Sequence, residues 1–229
     1  MTALDWDELA ARLDEDGHAT TPPLLDAAAC ASLAAGWDRP EQFRSRVVMA
    51  RHGFGSGEYR YYAAPLPAPI AALREALYPP LAALANRWAA RLGRPERYPP
   101  ALGGFLAACH EAGQTRPTPL LLRYEAGDYN CLHQDLYGPL AFPLQATLLL
   151  SDPARDFSGG EFLLVEQRPR MQSRGTVVPL AQGGAVLFAT NERPVAGTRG
   201  DYRVRVRHGV SRLRSGLRFT LGVIFHDAA

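Results

Sequence analysis

The sequence predicts an α+β fold that is mainly β: a double-stranded β-helix, or jelly roll, with buttressing N-terminal helices. Two observations lead to it. Helical periodicity is confined to about the first 115 residues, and from Thr118 onward short apolar stretches follow one another with glycine-rich turns between them. Helices first and strands afterwards give a β core with helices packed against it. Antiparallel strands of this number and length, about seven or eight, fit a jelly roll whose open end can hold a ligand.

Trp6, Leu9 and Leu13 recur at helical spacing and Gly17 follows, so residues 3–15 are expected to form an amphipathic helix. Asp26 is a good N-cap for a second helix running through Ala35. Between Phe43 and Tyr62 the alternating RSRVVMARHGFGSGEYRYY predicts two strands joined by a flexible turn. Ala71–Leu92 is alanine-rich with leucines at 73, 77, 81 and 84, a helix that Pro79 and Pro80 are expected to kink or divide. Residues 101–112 predict one more helix. The strands expected after it are PLLLRYE, LQATLLL, GEFLLVEQ, TVVPL, AVLFAT, YRVRVRHGV and RFTLGVIFHD. One domain over 1–229 is expected, with 1–115 as helical support carrying the early strand pair and 116–229 as the main core.

Composition narrows the function classes. No apolar run approaches the roughly 18 residues that span a bilayer, and the start, MTALDWDELAARLDEDG, is acidic where a signal peptide is basic. A cytoplasmic protein without membrane partners is expected. Cys30, Cys109 and Cys131 are odd in number and lack CxxC spacing, which suggests neither a disulfide framework nor a zinc knuckle. Net charge is only +2, but arginine clusters late, in RPRMQSR and RGDYRVRVRHGVSRLRSGLR, where positive potential is local.

The chemistry concentrates at His133, Asp135 and, 75 residues on, His208. HQD closes one strand and RVRHGV places a lone histidine on a later one. Two imidazoles and one carboxylate on one face make a facial metal site with open positions, the arrangement used by non-haem Fe(II) oxygenases; the bland reading is a hydrogen-bonded pair and an unrelated histidine. Arg218 follows His208 by ten residues at the end of an apolar strand and wants a carboxylate, either a ligand or a structural acid. Arg214 competes with it, although RLRSG reads as a turn before the strand.

Together YEAGDYNCLHQD, SGGEF, HGV and the distal arginine resemble the 2-oxoglutarate/Fe(II)-dependent dioxygenases, over roughly Pro119 to Asp227. LLDAAACASL and SGGEF look like the prolyl-hydroxylase branch, and a tyrosine nine residues before HQD looks like the AlkB-type nucleic-acid demethylases. DFSGGEF, EQRPRMQSR and HGVSRLRSG are similar to a bacterial family assigned to oxidative repair of alkylated DNA. The resemblance implies a cupin-like double-stranded β-helix, Fe(II) held by His133, Asp135 and His208, and 2-oxoglutarate and dioxygen as co-substrates. It also implies that Arg218 takes the distal carboxylate of 2-oxoglutarate and that the Tyr124 hydroxyl assists. The chain departs from the AlkB-type pattern at Leu122, where that pattern has asparagine, and in its arginine spacing.

Substrate candidates are fainter. Arg168, Arg170 and Arg174 are placed to meet phosphates, with Gln167 and Gln172 for base edges, or to form a solvated hairpin turn. Tyr59, Tyr61 and Tyr62 form either a stacking lid or an ordinary half-buried strand. Glu161 supports the site or lies on the surface, and His226 and Asp227 read as the exposed end of the last strand. Alkylated DNA or RNA is the favoured substrate on resemblance alone. Hydroxylation of a prolyl residue, free amino acid or small metabolite is the alternative, and a non-catalytic metal-binding jelly-roll module is the reading from another class. Oligomeric state is left open.

Overall fold

The computed structural model describes residues 3–229. Helix α1 (Trp6–Asp16) is capped at its start by the Asp5 carboxylate and at its end by Gly17 at φ 74°, a left-handed position that suits glycine. Strand β1 (His18–Thr20) and helix α2 (Ala27–Ala35) follow, α2 starting at the expected Asp26 cap. Strands β2 (Phe43–Val48), β3 (Gly55–Ser56) and β4 (Glu58–Tyr62) precede the long α3 (Ala68–Arg91) and α4 (Leu102–Glu111). β2 and β4 pair antiparallel, as the early strand pair predicts.

From Leu120 the chain is β: β5 (Leu120–Glu125), β6 (Tyr129–His133), β7 (Leu144–Leu149), β8 (Phe157–Gly159) and β9 (Phe162–Gln167). It continues through β10 (Arg174–Val178), β11 (Ala185–Ala189), β12 (Glu192–Gly197), β13 (Gly200–Val210) and β14 (Leu213–Val223). An eight-stranded sheet has the order β1-β11-β7-β14-β5-β4-β2 with β8 on β14, and a six-stranded sheet has β10-β9-β13-β6-β3 with β12 on β13. All of the strand pairs are antiparallel, the jelly-roll arrangement expected.

The two sheets are covered differently. Every residue of β7 and β11 is buried, so the large sheet is covered on both faces at these strands, and the sequence shows it in continuous apolar runs such as AVLFA. β13 alternates exposed and buried from Arg203 to His208, so the small sheet turns one face to the core and one to solvent. No helix among the described residues is long and apolar enough to cross a membrane.

Three expectations need correction. Pro79 and Pro80 do not divide α3, which runs unbroken through both. The carbonyls that lose their donors belong to Glu75 and Ala76, exposed and half-buried, where solvent can serve them. RLRSG is not a turn before the last strand: β14 already begins at Leu213 and pairs there with β8. His226 and Asp227 are buried rather than exposed. Arg74 of α3 donates to the carbonyls of Ile224 and Phe225 and to Asp227 Oδ1 at 2.8–2.9 Å, while His110 Nε2 lies 3.0 Å from Asp227 Oδ2. YRYY forms the half-buried strand expected of it rather than a lid, with Tyr62 in the main core against Phe43.

Arg193 is fully buried and ties the helices to the small sheet. Its Nε donates to Glu166 Oε1 at 2.6 Å, and its terminal nitrogens donate to the carbonyls of Asp14 and Glu15 at the end of α1. Breaking one side of a buried ion pair costs about 3–5 kcal/mol. Arg193→Met is therefore expected to lower unfolding stability by about that amount in urea titration. A loss well under 1 kcal/mol would show that the network adds little.

Candidate metal centre and co-substrate cavity

β6 and β13 are neighbours in the small sheet, and their register sets His133 directly opposite His208. Both rings face inward with centroids 4.2 Å apart. Asp135, two residues past the end of β6, brings Oδ1 to 3.5 Å from His133 Nε2 and Oδ2 to 3.3 Å from His208 Nε2. The three side chains offer ligand atoms within 4.8 Å of one another, separations that a single cation can bridge.

The surroundings set the protonation this needs. The His133 Nδ1–H donates to the Cys131 carbonyl at 2.7 Å, which leaves the Nε2 lone pair facing Asp135. Burial, and then the neighbouring His208, push the His133 pKa down and keep its ring neutral. Burial pushes the Asp135 carboxyl up, but the hydrogen bonds with His208 and with the Tyr137 hydroxyl outweigh it and hold the group ionised. Tyr137 donates to Asp135 Oδ1 at 2.7 Å and Gln145 Nε2 to Oδ2 at 2.9 Å. His208 is oriented by packing, its ring lying against Phe162 and Phe188.

The triad opens into a cavity of about 290 Å3, walled by Leu120, Leu122, Phe162 and Val210 and reached past Phe54 and Leu132. Arg218 lines the same cavity. It is 2% exposed, and its Nε and Nη1 have no hydrogen-bond partner. No acid pairs with it among the described residues, so the structural salt bridge weighed from sequence is not formed. Burial lowers its pKa to about 10, partly offset by Tyr124 and Glu161, and it stays charged at neutral pH. Tyr124 sits opposite Arg218 across β5 and β14. Its hydroxyl accepts from Asn130 Nδ2 at 3.3 Å, which leaves its proton free to donate.

The SGGEF turn supports this wall. Gly160 has φ 64°, and a Cβ there would fall 2.5 Å from Leu213 Cδ1 and 3.0 Å from Arg218 Cδ, so glycine lets the turn lie on the arginine stem. Glu161 is half-buried, and its carboxylate accepts from the Ser211 hydroxyl, fastening the turn to the link between β13 and β14.

Other sequence candidates lie elsewhere. Arg214 is exposed and outside the cavity. Tyr59 lines the cavity, but Tyr61 stands behind it, edge-on to Tyr59 and Tyr137 with the Arg44 guanidinium 4.5 Å from its ring centre. Arg168, Arg170 and Arg174 lie on the β9–β10 hairpin, away from the cavity. Arg174 pairs with Glu166 at 2.9 Å and Arg168 approaches it at 3.8 Å. Gln167 folds back onto the carbonyls of this turn, and Gln172 is exposed. Sequence reasoning missed Tyr137, Asn130, Gly160 and Gln145. Gln145 had a signal, because a lone amide inside the apolar strand LQATLL must find a polar partner.

The sequence model of the Oxygenase-NA family, described as "Oxygenase, catalysing oxidative methylation of damaged DNA", matches residues 57–228, about three quarters of the chain. The chain belongs to this oxygenase family. It is therefore an oxidoreductase. Uncharacterized protein Rv2227 of Mycobacterium tuberculosis, strain H37Rv, is 56% identical over 165 residues, covering 72% of this chain and 71% of its own. An oxidoreductase of the 2OG-Fe(II) oxygenase family from Burkholderia pseudomallei has a similar structure, with TM-score 0.55 and 19% identity over 100% of this chain and 95% of that one. A prolyl-4-hydroxylase from Pseudomonas putida gives TM-score 0.52 and 17% identity over 95% and 96%. At these identities the likeness is one of fold, the double-stranded β-helix expected from the sequence.

The donor set of this Oxygenase-NA member fits Fe(II), since two neutral imidazoles and an ionised carboxylate on one side leave the other side of a cation open. Groups that orient metal ligands typically matter by 10–100-fold in metal affinity. Tyr137→Phe and Gln145→Leu are each expected to weaken Mn(II) or Fe(II) binding at least about tenfold in anaerobic calorimetry. Unchanged affinity in both would show that Asp135 holds its place without them.

Proposed function

We propose that this oxygenase is a 2-oxoglutarate- and Fe(II)-dependent dioxygenase that removes alkyl groups from nucleic-acid bases by oxidation. The observation that carries the chemistry is the unpaired, buried Arg218 guanidinium in the same cavity as the His133–Asp135–His208 triad. A buried charge without a counterpart is costly, and a dicarboxylate reaching from the triad would supply one. In that pose the 2-oxo acid end faces the metal held by His133, Asp135 and His208. The far carboxylate meets the Arg218 fork and the free proton of Tyr124.

When bound, iron and 2-oxoglutarate supply the oxidation, turning the 2-oxo acid and dioxygen into succinate, carbon dioxide and one oxygen atom inserted into a substrate C–H bond. The residues of this chain supply placement. Asp135 is kept ionised and aimed by Tyr137 and Gln145, and His133 is kept in the tautomer that frees Nε2. The apolar wall of Leu120, Leu122, Phe162 and Val210 limits water around the reacting carbon. A hydroxylated N-methyl carbon is a hemiaminal, which breaks down to formaldehyde and the restored amine. The family description, which names damaged DNA, supports nucleic acid as the substrate.

Anaerobic titration of the metal-free protein with Fe(II) and 2-oxoglutarate tests the cofactor chemistry through the visible charge-transfer band. Wild type is expected to show it and His208→Ala to lose it. Arg218→Ala should need about 10–100-fold more 2-oxoglutarate, the worth of hydrogen bonds to a charged group. No band in folded wild type would overturn the proposal. With the band in hand, formaldehyde released from methylated DNA is the expected product. Its absence, together with a gain of one oxygen on a prolyl peptide, amino acid or small metabolite, would move the substrate to that class.

A further inference from the structure

Strand β13 delivers His208 inward, and its other face carries Arg203, Arg205 and Arg207, each exposed, between the buried Val204, Val206 and His208. Alternate residues on a strand stand about 6.6 Å apart, so the three arginine side chains leave the backbone in a row about 13 Å long. Arginine is the basic residue throughout, as the chain has no lysine. Its planar fork suits phosphate oxygens.

Little acid opposes the row. Glu192 of β12 is the carboxylate facing it, 3.8 Å from both Arg203 and Arg205 and already paired with Arg94. Asp201, two residues before Arg203, is held by Nε and Nη2 of Arg91 at 2.8–2.9 Å. Arg207 has no ion pair among the described residues.

The row has a direction. The pairing of Arg205 with Gln167 sets the β9–β10 turn, with Arg168 and Arg170, beside Arg203 at one end. At the other end Arg207 adjoins His208, whose cross-strand partner His133 follows Leu132. Leu132 is 43% exposed and Phe54 47% exposed, and both border the mouth of the cavity. The Phe54 ring is stacked on His52, with centroids 5.3 Å apart, and presents a flat apolar surface. One exposed sheet face thus joins a line of cations to an apolar rim above the metal-ligand triad.

We propose that this face docks single-stranded nucleic acid, with successive phosphates along Arg203, Arg205 and Arg207 and the bases next to the target against Phe54 and Leu132. The assignment rests on the nucleic-acid reading above and adds the surface and the form of the substrate. A single strand is the occupant because the target base must reach a buried triad, and leaving the stack costs least where no partner strand holds it. Base contact with an aromatic side chain tolerates any sequence, and so does the arginine row.

The test is binding of a fluorescent, unmethylated oligothymidylate to the full chain across salt concentrations, with formaldehyde release from a methylated oligonucleotide measured in parallel. The triple variant Arg203→Ala, Arg205→Ala, Arg207→Ala is expected to bind at least about tenfold more weakly at low salt. Its slope of log affinity against log salt should be shallower by about 2, since each lost phosphate contact removes about 0.7 on a single strand. An equal loss of charge at the exposed Arg12, Arg87 and Arg97 should leave the slope nearly unchanged. If both triple variants weaken binding alike, net charge is responsible and the surface assignment falls. If wild type releases formaldehyde from methylated DNA while the β13 variant keeps wild-type affinity and slope, the surface falls and the function stands. Tighter binding of duplex than of single strand overturns the single-strand form. Neither binding nor formaldehyde from wild type would overturn the nucleic-acid reading together with this inference.

Discussion

The register of β13 is the constraint on which the rest depends. A shift of one residue in a strand exchanges its two faces. In β13 that exchange would send Arg207 into the core and turn His208 to solvent. Pairing on both sides prevents it, with β9 matched from Arg205 to Val210 and β6 opposite His208. Val204 and Val206, buried on the inner face, add the hydrophobic reason for the same register. The metal-ligand pair and the exposed arginine row are two results of one alignment.

Buried charge is handled in two distinct ways. Arg193 and Arg74 lie in the interior with carboxylates and carbonyls at hydrogen-bond distance, and they join elements distant in sequence. Arg218 is as deeply buried, but no acid or carbonyl stands at hydrogen-bond distance from its Nε and Nη1, and rings and a glycine turn lie around it. The first two complete the fold by themselves. The third leaves an electrostatic deficit in the cavity wall, and a deficit of that sign is complementary to an acidic ligand.

The sequence disclosed what short-range rules can carry. The large sheet showed in its uninterrupted apolar runs, the small one in the alternation of YRVRVRH, and the α2 start in Asp26. His133 and Asp135 were visible because close spacing on an extended chain puts residues together, and His208 because its HGV motif is followed ten residues later by Arg218. What stayed hidden was non-local or depended on exposure. Asp227 looked like a free chain end because Arg74 and His110, which bury it, come from α3 and α4, more than 100 residues earlier. The α3 prolines looked disruptive because the sequence does not show that the carbonyls they orphan face water. Tyr137 gave no signal, since its value lies in a hydroxyl that meets Asp135 only after the loop beyond β6 has turned.

The small sheet, with its single covered face, has an evolutionary consequence. Substitutions at outward positions of β13 touch neither the core nor the metal ligands, and surface changes of that kind usually cost under 0.5 kcal/mol. Substitutions at the inward positions beside them would open cavities or remove a ligand. From Arg203 to His208, then, changes at the odd-numbered residues alter what the outer face recognises and spare the fold, while changes at the even-numbered ones strike the core or a metal ligand. Descendants of this chain can acquire new recognition surfaces without first losing the oxidation chemistry.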